Sequence, residues 1–112
     1  MADRPAIDEI IATYEKYGWV LRRIMLTAET ARAFGPTGVS TLGEVRSVDS
    51  SIDAALFSRP PKNGPVAWEI RYLGDDPYAL LESLDEADSG FEEAINALET
   101  RLAKAVLSKK SA

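Results

Sequence analysis

Residues 51–73, SIDAALFSRPPKNGPVAWEIRYL, contain two runs of alternating apolar residues on either side of a turn-forming segment. The first run alternates through Ile52, Ala54 and Leu56, and the second through Val66, Trp68, Ile70 and Tyr72. Alternation with period two is the pattern of a half-buried strand. Residues 59–65 supply prolines that cannot donate to a ladder and an Asn-Gly pair suited to a turn. The sequence therefore predicts an antiparallel hairpin.

A helix is predicted on each side of this hairpin, near the two ends of the chain. The first has an apolar stripe at helical spacing, Ile7, Ile10, Ile11 and Tyr14, and Gly18 is its natural end. The second begins with the capping-box pattern S-x-x-E at Ser89–Glu92. Its stripe also has helical spacing and consists of Phe91, Ile95, Leu98, Leu102 and Ala105. Both segments are therefore predicted to be amphipathic helices that bury one face.

A calcium-binding loop is the alternative interpretation of residues 85–96, DEADSGFEEAIN. An EF-hand loop requires oxygen ligands at positions 1, 3 and 5, glycine at 6 and a bidentate glutamate at 12. With Gly90 at position 6, position 3 is Ala87 and position 12 is Asn96. The helix start fits every residue and the calcium loop does not, so no metal site is predicted.

The segments between these helices predict further strands. WVLRRIML, residues 19–26, is short and rich in branched and aromatic residues, which favours a strand. Thr27 is suited to cap a short helix that runs through Phe34, followed by a loop over residues 35–51. Residues 78–84, YALLESL, are ambiguous: Asp76 and Pro77 favour the start of a helix, whereas the short length after a hairpin favours a strand. We predict a strand there.

Together these elements predict one α+β domain spanning residues 1–112. The order is helix, strand, short helix, three antiparallel strands and helix. We expect a two-layer sandwich in which the helices cover one face of a sheet of about four strands. The opposite face is also apolar in its sequence, so we expect the chain itself, a second copy or a ligand to cover it.

The composition excludes several classes of function. The chain has 13 Lys and Arg against 18 Asp and Glu, a net charge of −5 that repels nucleic acid. It has no cysteine and no histidine, which excludes disulfides, thiol catalysis and the commonest metal ligands and general base. No cofactor is predicted. No apolar stretch resembles a signal peptide or a membrane span, which predicts a cytoplasmic protein without membrane contact.

Two adjacent arginines inside the first strand are the most unusual feature of the pattern. Alternation places Arg22 and Arg23 on opposite faces, so one must point toward an apolar layer and needs a carboxylate there. Glu44, Glu69 and Glu82 are the candidate carboxylates. The pair is either an ordinary cross-strand salt bridge or a site for an anionic ligand. The candidate ligand-binding residues are Arg22, Arg23, Glu69, Tyr72 and Glu82.

Acidic residues are concentrated late in the chain. Nine acids and no Lys or Arg occur from Asp75 to Glu99, whereas residues 101–112 hold four bases and no acid. Such a run is either a solvated face or a docking surface for a basic protein segment. The sequence therefore predicts a non-catalytic interaction or adaptor module, homodimeric, with no catalytic residue assigned. The alternative is a small enzyme or binding protein for an anionic small molecule that uses the Arg, Glu and Tyr residues of the sheet.

Overall fold

The computed structural model describes residues 4–40, 46–60, 65–74 and 77–111. In chain order its elements are α1 (Arg4–Lys16), β1 (Val20–Leu26), α2 (Ala28–Ser40), β2 (Arg46–Asp49), β3 (Ala54–Arg59), β4 (Val66–Tyr72), β5 (Ala79–Leu84) and α3 (Phe91–Ser111). The α+β class and the predicted order of helices and strands are confirmed. The predicted turn at Asn63 and Gly64, the cap at Asp76 and the candidate carboxylate Glu44 lie outside the described residues.

The described strands form one sheet in the order β2-β1-β3-β4-β5. Four of them, β1, β3, β4 and β5, pair antiparallel as predicted, and the central hairpin β3–β4 places Leu56 opposite Ile70. Residues 79–84 are a strand, so the helical alternative for this segment is wrong. The short β2 pairs parallel to β1 at one edge, inside a segment predicted to be a loop. The α2 helix returns the chain to the start of β1, which is what a parallel pair requires.

Helices cover both faces of this sheet, so the predicted two-layer arrangement with helices on one face is wrong. One cluster joins α3 to Leu56, Trp68 and Ile70, and we call this side the α3 face. The other cluster joins α1 and α2 to Ile24 and Phe57, and we call this side the α1 face. The reason lies in β3, where five consecutive residues, 54–58, are buried. A strand buried on both sides must lie between two layers of helices.

A β-bulge in β1 changes where its two arginines point. The pairing of β1 with β3 shifts by one residue between Leu21 and Arg23. Arg22 and Arg23 both contact residues of the α3 face, including the rings of Trp68 and Phe91. The predicted placement on opposite faces is therefore wrong, because an extra residue in a bulge interrupts the alternation of side chains.

The start of α2 confirms the predicted cap at Thr27 and adds a buried carboxylate to it. The Thr27 hydroxyl accepts a hydrogen bond from the Thr30 amide at 3.2 Å. Asp53, 7% exposed, accepts the Thr27 amide at 2.9 Å and the Thr30 hydroxyl at 2.7 Å. These bonds satisfy donors at the helix N-terminus. The negative charge of Asp53 also interacts favourably with the positive end of the helix dipole. Asp53 thereby ties α2 to the segment just before β3.

Candidate binding surface

The two arginines of the predicted site are engaged in ion pairs. The Arg22 guanidinium lies 4.8 Å from the centre of the Trp68 ring and donates to Glu86 at 2.7 Å and to the Ser58 hydroxyl at 3.1 Å. Arg23 lies over Phe91 and donates to both carboxylate oxygens of Glu92, one of them at 3.0 Å. The hydrogen bond to Glu92 raises the pKa of Arg23. The carboxylates that pair with the arginines are therefore Glu86 and Glu92, and not the predicted Glu69 or Glu82.

The remaining predicted site residues lie apart from one another. Glu69 is on the α1 face, where it accepts a hydrogen bond from the Tyr14 hydroxyl. Tyr72 is buried in the core of the α3 face, and its ring lies so close to Gly74 that a Cβ at that glycine would collide with it. Glu82 is exposed on β5, opposite Trp68 in the ladder. The structure brings Arg22 and Arg23 together on one face but does not gather the five residues into one site.

Tyr14 joins α1 to the sheet through both its ring and its hydroxyl. The ring stacks on Phe57, with the centroids 4.1 Å apart, and meets the edge of Trp19 at 6.1 Å. Burial raises the pKa of Tyr14 well above its ordinary value, and the hydrogen bond to Glu69 and the charge of Glu69 raise it further. Arg71 opposes this shift in part. The neutral tyrosine is therefore the form that the folded protein stabilises.

We expect Tyr14 to remain protonated at pH values where free tyrosine, with a pKa of about 10, ionises. Because its pKa is raised on folding, its contribution to stability is complete below pH of about 10 and is lost as the pH rises toward the folded pKa. Absorbance at 295 nm should show equal tyrosinate formation at pH of about 11 in the wild type and in Tyr14→Phe. Glu69→Gln should move the Tyr14 titration downward, and a normal titration of Tyr14 in the wild type would contradict the observed bond.

Two adjoining cavities form a groove between α1 and β4. One of about 430 Å³ is lined by Ala6, Glu9, Ile10, Thr13, Tyr14 and Arg71. The other, of about 350 Å³, is lined by Thr13, Tyr14, Tyr17, Trp19, Arg59 and Glu69. They share Thr13 and Tyr14, so we treat them as one feature and call it the α1 groove. It presents aromatic side chains together with charges of both signs.

Beyond the α1 groove, the α1 face of β4 and β5 is not covered by a described helix. On this side α1 and α2 pack mainly against β1, and α3 lies on the opposite face. Ala79, Leu81 and Ser83 of β5 are exposed, with Leu81 60% exposed. Leu81 and Ala79 lie opposite Glu69 and Arg71 in the ladder. We call Ala79, Leu81 and Ser83 the open face, which adjoins the α1 groove at Glu69 and Arg71.

The sequence did not identify the open face or the α1 groove as a site. Leu81 could have been recognised from the alternation of β5, because Leu80 and Leu84 share one side of the strand and Leu81 takes the other. The groove depends on where α1 packs, which the pattern alone does not show. Within the described residues, no cluster of three or more Asp or Glu is placed to hold a metal ion. The described helices are each too short or too polar to cross a membrane.

Comparisons of this chain with models of protein families, with curated proteins and with solved structures find no match.

Proposed function

We propose that this protein is a non-catalytic protein-interaction module that forms a homodimer through its open face. The observation that carries this proposal is the exposure of Leu81 on a sheet whose central strand, β3, is covered by helices on both faces. Burying the exposed part of such a side chain, which is more than half of it, gains about 1–2 kcal/mol. Two strands side by side span about 10 Å, which is close to the width of one helix. The open face therefore has room for one further layer of structure.

The charges around the α1 groove support a second copy as the occupant. A two-fold interface places the same patch of both subunits against itself, so a charged patch must contain both signs to be self-complementary. Arg59 and Arg71 border the groove together with Glu9 and Glu69. This balance contrasts with the net charge of −5 of the whole chain. Two copies can therefore approach through this region without the repulsion that their remaining surfaces exert.

We expect Leu81→Lys to weaken the dimer about a hundredfold, because two copies of the leucine leave each two-fold interface. Sedimentation equilibrium of the wild type and the variant measures this change. Val20→Lys is the matched control, since Val20 is also an exposed apolar residue at 53% and lies on β1, away from the open face. The control should dimerise as the wild type does. A wild type that is monomeric at about 100 µM, well above the dissociation constants of specific interfaces, would refute the homodimer.

A binding protein for an anionic small molecule is the second candidate function. The α1 groove favours it, because its two cavities are of ligand size and Arg59 and Arg71 lie at their margins. The groove is a better location than Arg22 and Arg23, whose guanidinium groups are already paired with carboxylates. It ranks second because Glu9 and Glu69 line the same cavities and repel an anion. A native mass spectrum distinguishes the two: a dimer without added mass supports the interaction module, and a bound mass of a few hundred daltons supports the ligand.

The cytoplasm is the compartment that we propose for this module. The chain has no cysteine, so it gains no disulfide in an oxidising compartment. Fractionation of the source cells, with the protein detected by antibody, would test the location directly.

A further inference from the structure

The outer edge of β5 carries backbone groups that no described strand pairs. The Tyr72 amide donates to the Tyr78 carbonyl at 2.8 Å, which identifies Tyr72 and Tyr78 as a hydrogen-bonded pair of the antiparallel ladder. Such pairs recur at every second residue, so Leu80, Glu82 and Leu84 direct their amide and carbonyl groups toward β4. The intervening residues, Ala79, Leu81 and Ser83, direct theirs away from the sheet. Six backbone groups thus face outward.

This edge lacks the features that usually prevent strand pairing. Edge strands are commonly protected by proline, by lysine, by a bulge or by a charged side chain that points inward. The strand Ala79–Leu84 reads ALLESL and contains neither proline nor lysine. No register shift interrupts its pairing with β4. The single charge, Glu82, is exposed rather than turned into the core. The edge is therefore competent to accept another strand.

Charge determines which strand the edge accepts. Three acidic side chains are exposed along β5 and the turn that follows it: Glu82, Asp85 and Asp88. They belong to the segment from Asp75 to Glu99, which contains nine acidic residues and no Lys or Arg. In a symmetric antiparallel pair of two copies centred on Leu81, Glu82 of each copy would lie opposite Leu80 of the other, so the two Glu82 side chains would be diagonal neighbours on one face. Like charges at such positions destabilise strand pairing. A basic strand is attracted by the acidic residues along this edge, whereas a second copy of the same edge is repelled by them.

We propose that the edge of β5 binds an extended basic segment of another protein and adds it to the sheet as a further strand. This inference rests on the proposed function, because it names the partner of the interaction module. The added strand would place alternate side chains beside Leu81 on the α1 face and beside Glu82 on the α3 face. The matching segment alternates apolar with basic residues. Homodimerisation uses the Leu81 side chain, whereas strand addition uses the backbone of Ala79, Leu81 and Ser83.

A labelled seven-residue peptide, VKVKVKV, is the probe for this inference, and fluorescence anisotropy measures its binding. We expect saturable binding that weakens as salt is raised from about 50 mM to about 500 mM, because exposed charges are screened at high ionic strength. The peptide VEVEVEV has the same strand propensity with the opposite charge and should not bind. Absence of VKVKVKV binding at low salt, or equal binding of both peptides, would overturn the inference.

Ser83→Pro separates backbone pairing from attraction by charge alone. The Ser83 amide points outward, so proline there removes an edge donor without removing a bond to β4. We expect the affinity for VKVKVKV to fall about tenfold or more in Ser83→Pro and to be unchanged in Ser83→Ala. The double variant Asp85→Asn, Asp88→Asn should weaken binding at low salt only. Full affinity in a folded Ser83→Pro protein would contradict strand addition.

A second form of the probe tests the same backbone bonds without changing the protein, so a folding defect in the proline variant does not affect the result. VKVKVKV methylated on alternate backbone nitrogens cannot donate along one edge, and it should lose binding to the wild-type protein. Sedimentation of the wild type reports separately on the homodimer, which uses the Leu81 side chain and not the outward backbone groups of β5. A wild-type protein that dimerises but does not bind VKVKVKV would refute strand addition and leave the interaction module standing. A wild-type monomer that binds VKVKVKV would refute the homodimer and support strand addition.

Discussion

Replacing Phe57 by alanine is expected to lower the free energy of unfolding by about 4 kcal/mol. Phe57 is fully buried, and its ring stacks on Tyr14 of α1. The loss combines the burial of a large aromatic side chain with the cavity left beneath the helix. Urea denaturation followed by circular dichroism measures it. The measurement tests whether α1 covers this face of the sheet, because the sequence alone allowed the chain itself, a second copy or a ligand to cover it.

Val20→Ala is the control for this measurement. Val20 also lies on a central strand and is 53% exposed, so its truncation should cost well under 1 kcal/mol. Both variants are compared with the wild type at one protein concentration, because dimerisation makes apparent stability depend on concentration. If Phe57→Ala costs no more than Val20→Ala, α1 does not cover this face in solution.

Asp53→Ala is expected to destabilise the protein by about 2–3 kcal/mol. The buried carboxylate accepts the Thr27 amide and the Thr30 hydroxyl, so its loss leaves two donors at the start of α2 without their acceptor. It also removes a negative charge from the positive end of the helix dipole. Thermal or urea unfolding of the purified variant measures the loss.

Asp53→Asn separates the hydrogen bonds from the charge. The asparagine carbonyl can still accept the Thr27 amide, and the Thr30 hydroxyl can accept from the side-chain amide. We therefore expect an intermediate loss of about 1 kcal/mol. Equal losses in the alanine and asparagine variants would show that the charge, and not the bonding pattern, holds α2 in place.

The sequence predicted most of the fold because its strands follow a simple period. Alternation located the β3–β4 hairpin, and the cap at Thr27 located α2. The apolar second face was recognised, because Ala55 and Phe57 are apolar and alternate with the apolar Ala54 and Leu56, but the sequence left open what covers it. Alternation shows that a face is apolar, and it does not show which element covers that face. The four residues of β2 are too few for any period to be recognised.

The candidate site was harder to predict because it depends on contacts between distant segments. Arg22 and Glu86 are 64 residues apart, and Arg23 and Glu92 are 69 apart. Alternation assumes that strands pair one residue with one, and the bulge in β1 breaks that assumption. The bond between Tyr14 and Glu69 requires α1 to lie on the face opposite to the one that the sequence assigned to it. Local patterns identify elements, and they do not identify which elements meet.

The two adjacent arginines of β1 also have a consequence for the newly synthesised chain. β1 lies inside the sheet between β2 and β3, yet it is the first strand to leave the ribosome, and Glu86 and Glu92 are made long after it. Until then Arg22 and Arg23 stand side by side, unneutralised by those carboxylates, on an otherwise apolar strand. Adjacent charges within such a segment oppose aggregation of incomplete chains. The same two residues thus oppose aggregation of the strand during translation, and in the complete chain they bind α3 and the turn before it.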